Sequence, residues 1–134
     1  MYGTISASTR DFKTFSSPKA YKSGAMDMDF VKLPGGEYLR AYKDNIIIVE
    51  MSKGGLFGSW TSVSLPISSG EGPALFLDNE HPNTVHLWVD ENAGNGYTPY
   101  ISTNVHQGFR KDSHAIPVGM HHGNVFPLTA SEYS

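Results

Sequence analysis

The sequence predicts an all-β fold, a partial β-propeller of about two and a half antiparallel four-stranded blades, and three observations carry that expectation. Short apolar or alternating runs are separated by turn residues, and few segments show helical periodicity. Fourteen glycines and eight prolines supply the many turns that such a chain needs. A blade-sized unit also recurs along the chain, at roughly 44 to 51 residues.

Taken in order, strands are expected at 3–7, 28–32, 38–42 and 46–51, then at 74–77, 85–89, 99–102 and 124–127. Pro34-Gly35-Gly36 and Lys43-Asp44-Asn45 are turn signals between neighbouring runs, so 29–51 reads as a three-stranded meander. Residues 78–83 and 92–96 play the same part in a second meander. The polar tail, 129–134, is read as a surface turn or short helix.

The meanders are related. A strand ending in serine, a short turn and an aromatic residue recur as Ser8 to Phe15, Ser52 to Trp60 and Ser102 to Phe109. After each aromatic the chain runs through polar residues to Asp27, then Glu71, then His121-His122. In a propeller the first strand of each blade lines the central channel, so these residues are expected to converge on the axis. The expected organisation is one domain, 1–134, with a blade fragment at 1–24, blades at 25–68 and 69–119, and the start of a final blade at 120–134.

Composition excludes several classes of function. The net charge is −3 and no Lys/Arg cluster stands out, which argues against nucleic acid as a partner. There are no cysteines, hence neither a disulfide framework nor a thiolate metal site. The longest apolar run, Ile46-Ile47-Ile48-Val49, is far too short for a membrane span. The N-terminus, Met1-Tyr2-Gly3-Thr4-Ile5, lacks the basic-then-apolar pattern of an export signal.

Two carboxylates facing one channel, with histidine beside them, form a plausible acid/base pair. Glycoside hydrolysis needs a protonated carboxyl for the leaving oxygen and a second carboxylate for water or direct attack. Glu71 lies in Gly70-Glu71-Gly72-Pro73, where small and rigid residues set the backbone and leave space for a ligand. A neighbouring carboxylate such as Asp27 would raise the pKa of Glu71 and keep it protonated. A solvated turn carboxylate is the plainer reading of each. His81, His86, His106 and His114 show no metal-binding spacing. His121 and His122, consecutive on a strand, are expected to point in opposite directions. Trp60 and Trp88 are assigned to blade packing, and Tyr97 and Tyr100 to exposed aromatics.

Ala25-Met26-Asp27-Met28-Asp29-Phe30-Val31, Gly70-Glu71-Gly72-Pro73-Ala74-Leu75-Phe76 and His122-Gly123-Asn124-Val125 together resemble glycoside hydrolase family 43. The resemblance spans nearly the whole chain and implies a five-bladed propeller acting on arabinose- and xylose-containing cell-wall glycans outside the cell. It implies Glu71 as general acid, Asp27 as the residue that tunes and orients it, and His121 and His122 as substrate-binding residues. It also implies a water or a calcium ion near the axis, beside His122, for which a packed, hydrogen-bonded histidine is the equal alternative. Histidine is a poor calcium ligand, so any contact from His122 would pass through water.

Two departures accompany the resemblance. The family's catalytic base, an early aspartate, has no counterpart here, since Asp11 falls in a surface turn. His121 stands where an arginine is usual. Three readings therefore remain open: a hydrolase, either a fragment of a longer parent or a site completed by another chain; a lectin-like carbohydrate-binding protein; and a structural β protein. A homodimer that rebuilds a closed ring is expected, because incomplete blades leave edge strands to pair.

Overall fold

The computed structural model describes residues 3–67, 69–91, 96–116 and 118–133. The described residues are all-β apart from one 3₁₀ turn and one terminal helical turn. The ten strands among the described residues are β1 (Gly3–Ser6), β2 (Lys19–Ser23), β3 (Met26–Lys32), β4 (Tyr38–Asp44), β5 (Ile46–Ser52), β6 (Thr61–Val63), β7 (Glu71–Leu77), β8 (Val85–Asp90), β9 (Tyr97–Ser102) and β10 (Arg110–Lys111). They form three antiparallel sheets: the hairpin β1-β2, a four-stranded meander β3-β4-β5-β6 and a second meander β7-β8-β9-β10. This is the architecture of a partial propeller, two blades preceded by a hairpin.

Turn chemistry sets the strand order. At 33–37 the Leu33 N–H donates to the Glu37 carbonyl (2.8 Å) and Gly36, at φ 92°, closes the reversal. Asn45 takes φ 61° between β4 and β5, a conformation asparagine tolerates better than most residues. The turn expected at 92–96 lies, for residues 92–95, outside the described residues.

The core lies between the two four-stranded sheets. Leu39, Ala41, Ile47, Val49 and Met51 of the first sheet and Leu75, Val85, Leu87 and Val89 of the second form one buried cluster. Alternation along β5 explains the first set, since Ile47, Val49 and Met51 are buried while the intervening Ile46, Ile48 and Glu50 are not. Each such aliphatic side chain, fully buried, contributes about 1.5–3 kcal/mol through the hydrophobic effect.

The opposite face of the first sheet holds the hairpin. Arg40, only 5% exposed, pairs with Glu50 (2.6 Å from Nη2, 2.8 Å from Nε). Its guanidinium stacks on Trp60 at 4.0 Å and also faces Tyr21 of β2 and Tyr42. Tyr21 in turn meets Phe30 edge-on, so β2 is fastened to the blade by an aromatic and cationic seam.

Three expectations change. The short outer strands β2, β6 and β10 were not evident in the sequence. Residues 124–127 form no strand but run along the inner strands, with the Asn124 side chain bonded to Asp29. Tyr97 and Tyr100 are buried, at 7% and 3% exposure, and the exposed aromatics among the described residues are Phe12, Phe15, Phe57, Phe126 and Tyr133. The tail ends in α1 (Ala130–Tyr133), as its polar composition indicated.

Candidate functional site

Both inner strands carry a bulge near their start. Pairing of β3 with β4 shifts between Met26 and Asp29, and pairing of β7 with β8 shifts between Glu71 and Ala74. Asp27 (φ 52°) and Gly72 (φ 50°) occupy the same left-handed position in the two bulges. Bulges of this kind re-aim side chains and break regular pairing. The register therefore equates Met26, opposite Lys43, with Glu71, opposite Asp90. The repeat read from the sequence, which equated Asp27 with Glu71, is one residue out of step at this point.

Glu71 opens β7 and its side chain is about one-third exposed. Its Oε2 accepts from Lys43 Nζ at 3.0 Å, across the boundary between the two sheets. Its Oε1 lies 3.6 Å from His122 Nε2. The same His122 nitrogen is 4.0 Å from Oδ2 of Asp90, which is buried and also bonds His121 Nδ1 at 2.6 Å. Lys43, Glu71, His122, Asp90 and His121 thus form one continuous chain of ionisable groups.

Backbone geometry fixes the members of that chain. Gly70 takes φ 128°, and a Cβ there would lie 2.5 Å from Val89 Cγ1 and 3.1 Å from the Asp90 carbonyl oxygen. A Cβ on Gly72 would come within 3.0 Å of His122 Nδ1, so the imidazole rests against a bare backbone. His122 is itself left-handed at φ 46°. The tail that carries it is tied down by Tyr97, whose hydroxyl donates to the Gly123 carbonyl (3.2 Å) and accepts from the Gly123 N–H.

Asp29, next to the first bulge, accepts from the Leu75 N–H at 2.7 Å and the Phe30 N–H at 2.8 Å, and bonds the Asn124 side chain. One carboxylate thereby links β3, β7 and the tail. Burial pushes its pKa up, although each of these hydrogen bonds favours the ionised form.

Glu71 moves the other way. The hydrogen bond from Lys43 holds its carboxyl below the usual carboxylate range, His122 adds to the effect, and modest burial opposes it. Asp27 is exposed and does not contribute to that shift. The expected elevation of Glu71 by Asp27 is thus replaced by a depression, because an ammonium reaches the carboxylate first. In linkage terms, Glu71 stabilises the fold above the ordinary glutamate pKa, and that stability is lost as pH falls through its lower folded value.

The structure brings Glu71, His121 and His122 together and leaves Asp27 apart from their ion pairs. Both histidines reach Asp90, contrary to the opposed directions expected of a strand, because 121–123 is irregular backbone. Lys43, Asp90 and Asp29 were missed in the sequence. The first two share a place in the repeat, opposite the first residue of each bulge, which becomes visible only once the strands are paired. Among the described residues no group of three or more His, Asp or Glu side chains is arranged to hold a metal ion.

Further along the inner strands, from Asp29 and Leu75 onward, a cleft of about 960 Å³ follows β3, β7 and the tail, lined among others by Asp29, Lys32, Phe76, Asp78, His86 and Asn124. Its size is in the range of small-ligand sites, and its walls mix aromatic rings with carboxylates and an amide. No curated protein matches the chain. Residues 2–134, nearly the whole chain, match the model of a family described as a probable glycosyl hydrolase domain. With the match covering both bulged inner strands and the histidine-bearing tail, the chain belongs to this family of probable glycosyl hydrolase domains, related to glycoside hydrolase family 43.

Proposed function

We propose that the chain recognises arabinose- or xylose-containing glycans at Glu71 and His122, with the cleft further along β3 and β7 taking more distant sugar units. The observation that supports this most is the Glu71 carboxylate, held between Lys43 and His122 at the start of β7, the strand whose far half lines the cleft. An ionised carboxylate next to an imidazole offers a strong acceptor and a second polar atom to sugar hydroxyls, and charge-assisted hydrogen bonds are the strong ones. Phe76 and His86, stacked at 5.0 Å in the cleft wall, add an apolar surface for a sugar face.

The same observation bears on hydrolysis. A general acid must carry a proton at the working pH, whereas Glu71 paired with Lys43 is set toward the carboxylate. Turnover would need a ligand that displaces Lys43, together with a second carboxylate to activate water. Binding without rapid turnover is therefore the reading for this chain.

The test is titration with xylotriose and arabinotriose by calorimetry, with release of nitrophenol from the nitrophenyl arabinofuranoside and xyloside measured in parallel. Glu71→Gln keeps the shape and removes the charge. Losing a hydrogen bond to a charged group costs about 1.5–3 kcal/mol, so affinity is expected to fall about 10- to 150-fold. Equal affinity in both proteins, or no binding by the wild type, would overturn the proposal. Nitrophenol release that disappears in Glu71→Gln would replace binding by hydrolysis as the function.

A further inference from the structure

We propose that Lys43 is a positioning residue for Glu71: held on Oε2 from the neighbouring blade, it leaves Oε1, beside His122 Nε2, as the oxygen that meets a sugar. This rests on the reading of Glu71 as the sugar-binding carboxylate, and it adds a residue and an orientation to that reading.

Three features of the fold lead to it. Lys43 sits near the end of β4, opposite Met26 at the start of the β3 bulge. Asp90 has the same place in the next sheet, opposite Glu71 at the start of the β7 bulge. One repeat position is thus used twice with opposite charge. Its cation reaches forward to the carboxylate of the following blade, and its anion reaches the histidines of the following segment.

The second feature is asymmetry. The two oxygens of Glu71 are not equivalent, since Oε2 is engaged at 3.0 Å while Oε1 has His122 at 3.6 Å, beyond a good hydrogen bond. A ligand hydroxyl can therefore enter at Oε1 without breaking the shorter bond. The third is partial burial. Side chains of Lys43 and Glu71 retain 22% and 31% exposure, enough for ligand access yet less screened than a surface pair.

The charged groups facing Glu71 are Lys43 from β4 and His122 from the tail, with Asp90 of β8 behind His122. A preorganised carboxylate does not have to be ordered when ligand arrives, so Lys43 would act on affinity through Glu71 and not by touching the sugar.

Two experiments test this. In the first, the Glu71 side-chain carboxyl carbon is followed by NMR against pH without any sugar, its signal identified by its absence in Glu71→Gln. Lys43→Met and Lys43→Gln are expected to move its midpoint upward toward the ordinary glutamate value, and Lys43→Arg to return it toward wild type. An unmoved midpoint in both neutral variants overturns the proposal, whatever the glycan results. In the second, xylotriose affinity is measured in a double-mutant cycle. Lys43→Met is expected to weaken binding about tenfold in the wild-type background and by less than about twofold in the Glu71→Gln background. Additive losses would mean that Lys43 touches the sugar itself, and would also overturn it. If the midpoint moves but no xylotriose binds, the glycan reading fails while the role of Lys43 toward Glu71 stands.

Discussion

Replacing Arg40 with alanine is expected to cost about 3–5 kcal/mol of folding stability, a large share of the roughly 5–15 kcal/mol that holds a typical domain together. The guanidinium is buried and its partner Glu50 is only 14% exposed, so removing the cation strands a carboxylate away from water. The Tyr42 hydroxyl also bonds Glu50, and burial first, then the Glu50 charge, holds that phenol well above its ordinary range. The phenol thus stays a neutral donor and cannot replace the lost cation. Arg40→Ala also empties the space against Trp60, Tyr21 and Tyr42 and so loosens the β1-β2 hairpin. Urea unfolding followed by tryptophan fluorescence would measure the loss as a lower midpoint. The double variant Arg40→Met with Glu50→Leu removes both charges and is expected to recover most of it. A single-variant loss under about 1 kcal/mol would show that Glu50 finds other compensation.

Gly70→Ala is the second large effect, expected at about 3 kcal/mol or more. Two costs combine. A φ of 128° is strained for any residue with a Cβ, costing about 1–3 kcal/mol. The new methyl would also lie 2.5 Å from Val89 Cγ1 in a filled core, and overpacking of this kind costs about 1–3 kcal/mol. Gly36→Ala is the matching control, because its φ is 92° but nothing lies within 4 Å of the added carbon. It should lose only about 1–2 kcal/mol, the cost of the left-handed backbone. If both variants lose the same amount, packing against Val89 does not matter. Since Gly70 immediately precedes Glu71, its variant should also weaken glycan binding by more than its stability loss implies at temperatures where it remains folded.

What was legible in the sequence followed the physics of each segment. Strands β4, β5, β8 and β9 bury one or both faces and read as apolar runs bounded by turns, so pattern alone found them. The outer strands β2, β6 and β10 carry Lys, Ser, Thr and Arg, bury little, and leave no such pattern. Residues 124–127 are apolar enough to suggest a strand, yet the Asp29 bond to Asn124, with Tyr97 fixing the preceding Gly123, holds this stretch across the blades instead. In the site, Glu71 and the histidines stood out because glycine and proline frame them. Lys43 and Asp90 did not, because each meets its partner far along the chain, Lys43 on a strand of the other sheet and Asp90 on the irregular tail. A bulge in each inner strand also shifts the apparent repeat by one residue, and no spacing in the sequence reveals it.

The irregular course of 118–127 has a consequence for how the molecule fails. His121 and His122 are delivered by backbone that belongs to no sheet and is mostly exposed, while Lys43, Glu71 and Asp90 are held by paired strands. Segments with few buried contacts open at lower free energy than core strands. The site should therefore come apart in two stages on gentle warming, the imidazoles leaving while the blades are still intact. Histidine proton resonances would shift to free-peptide positions below the temperature at which tryptophan fluorescence reports unfolding. Coincident transitions would instead make the tail part of the cooperative core. On the expected outcome, ligand recognition has a narrower thermal range than the fold that carries it, and a glycan bridging Glu71 and His122 would widen it.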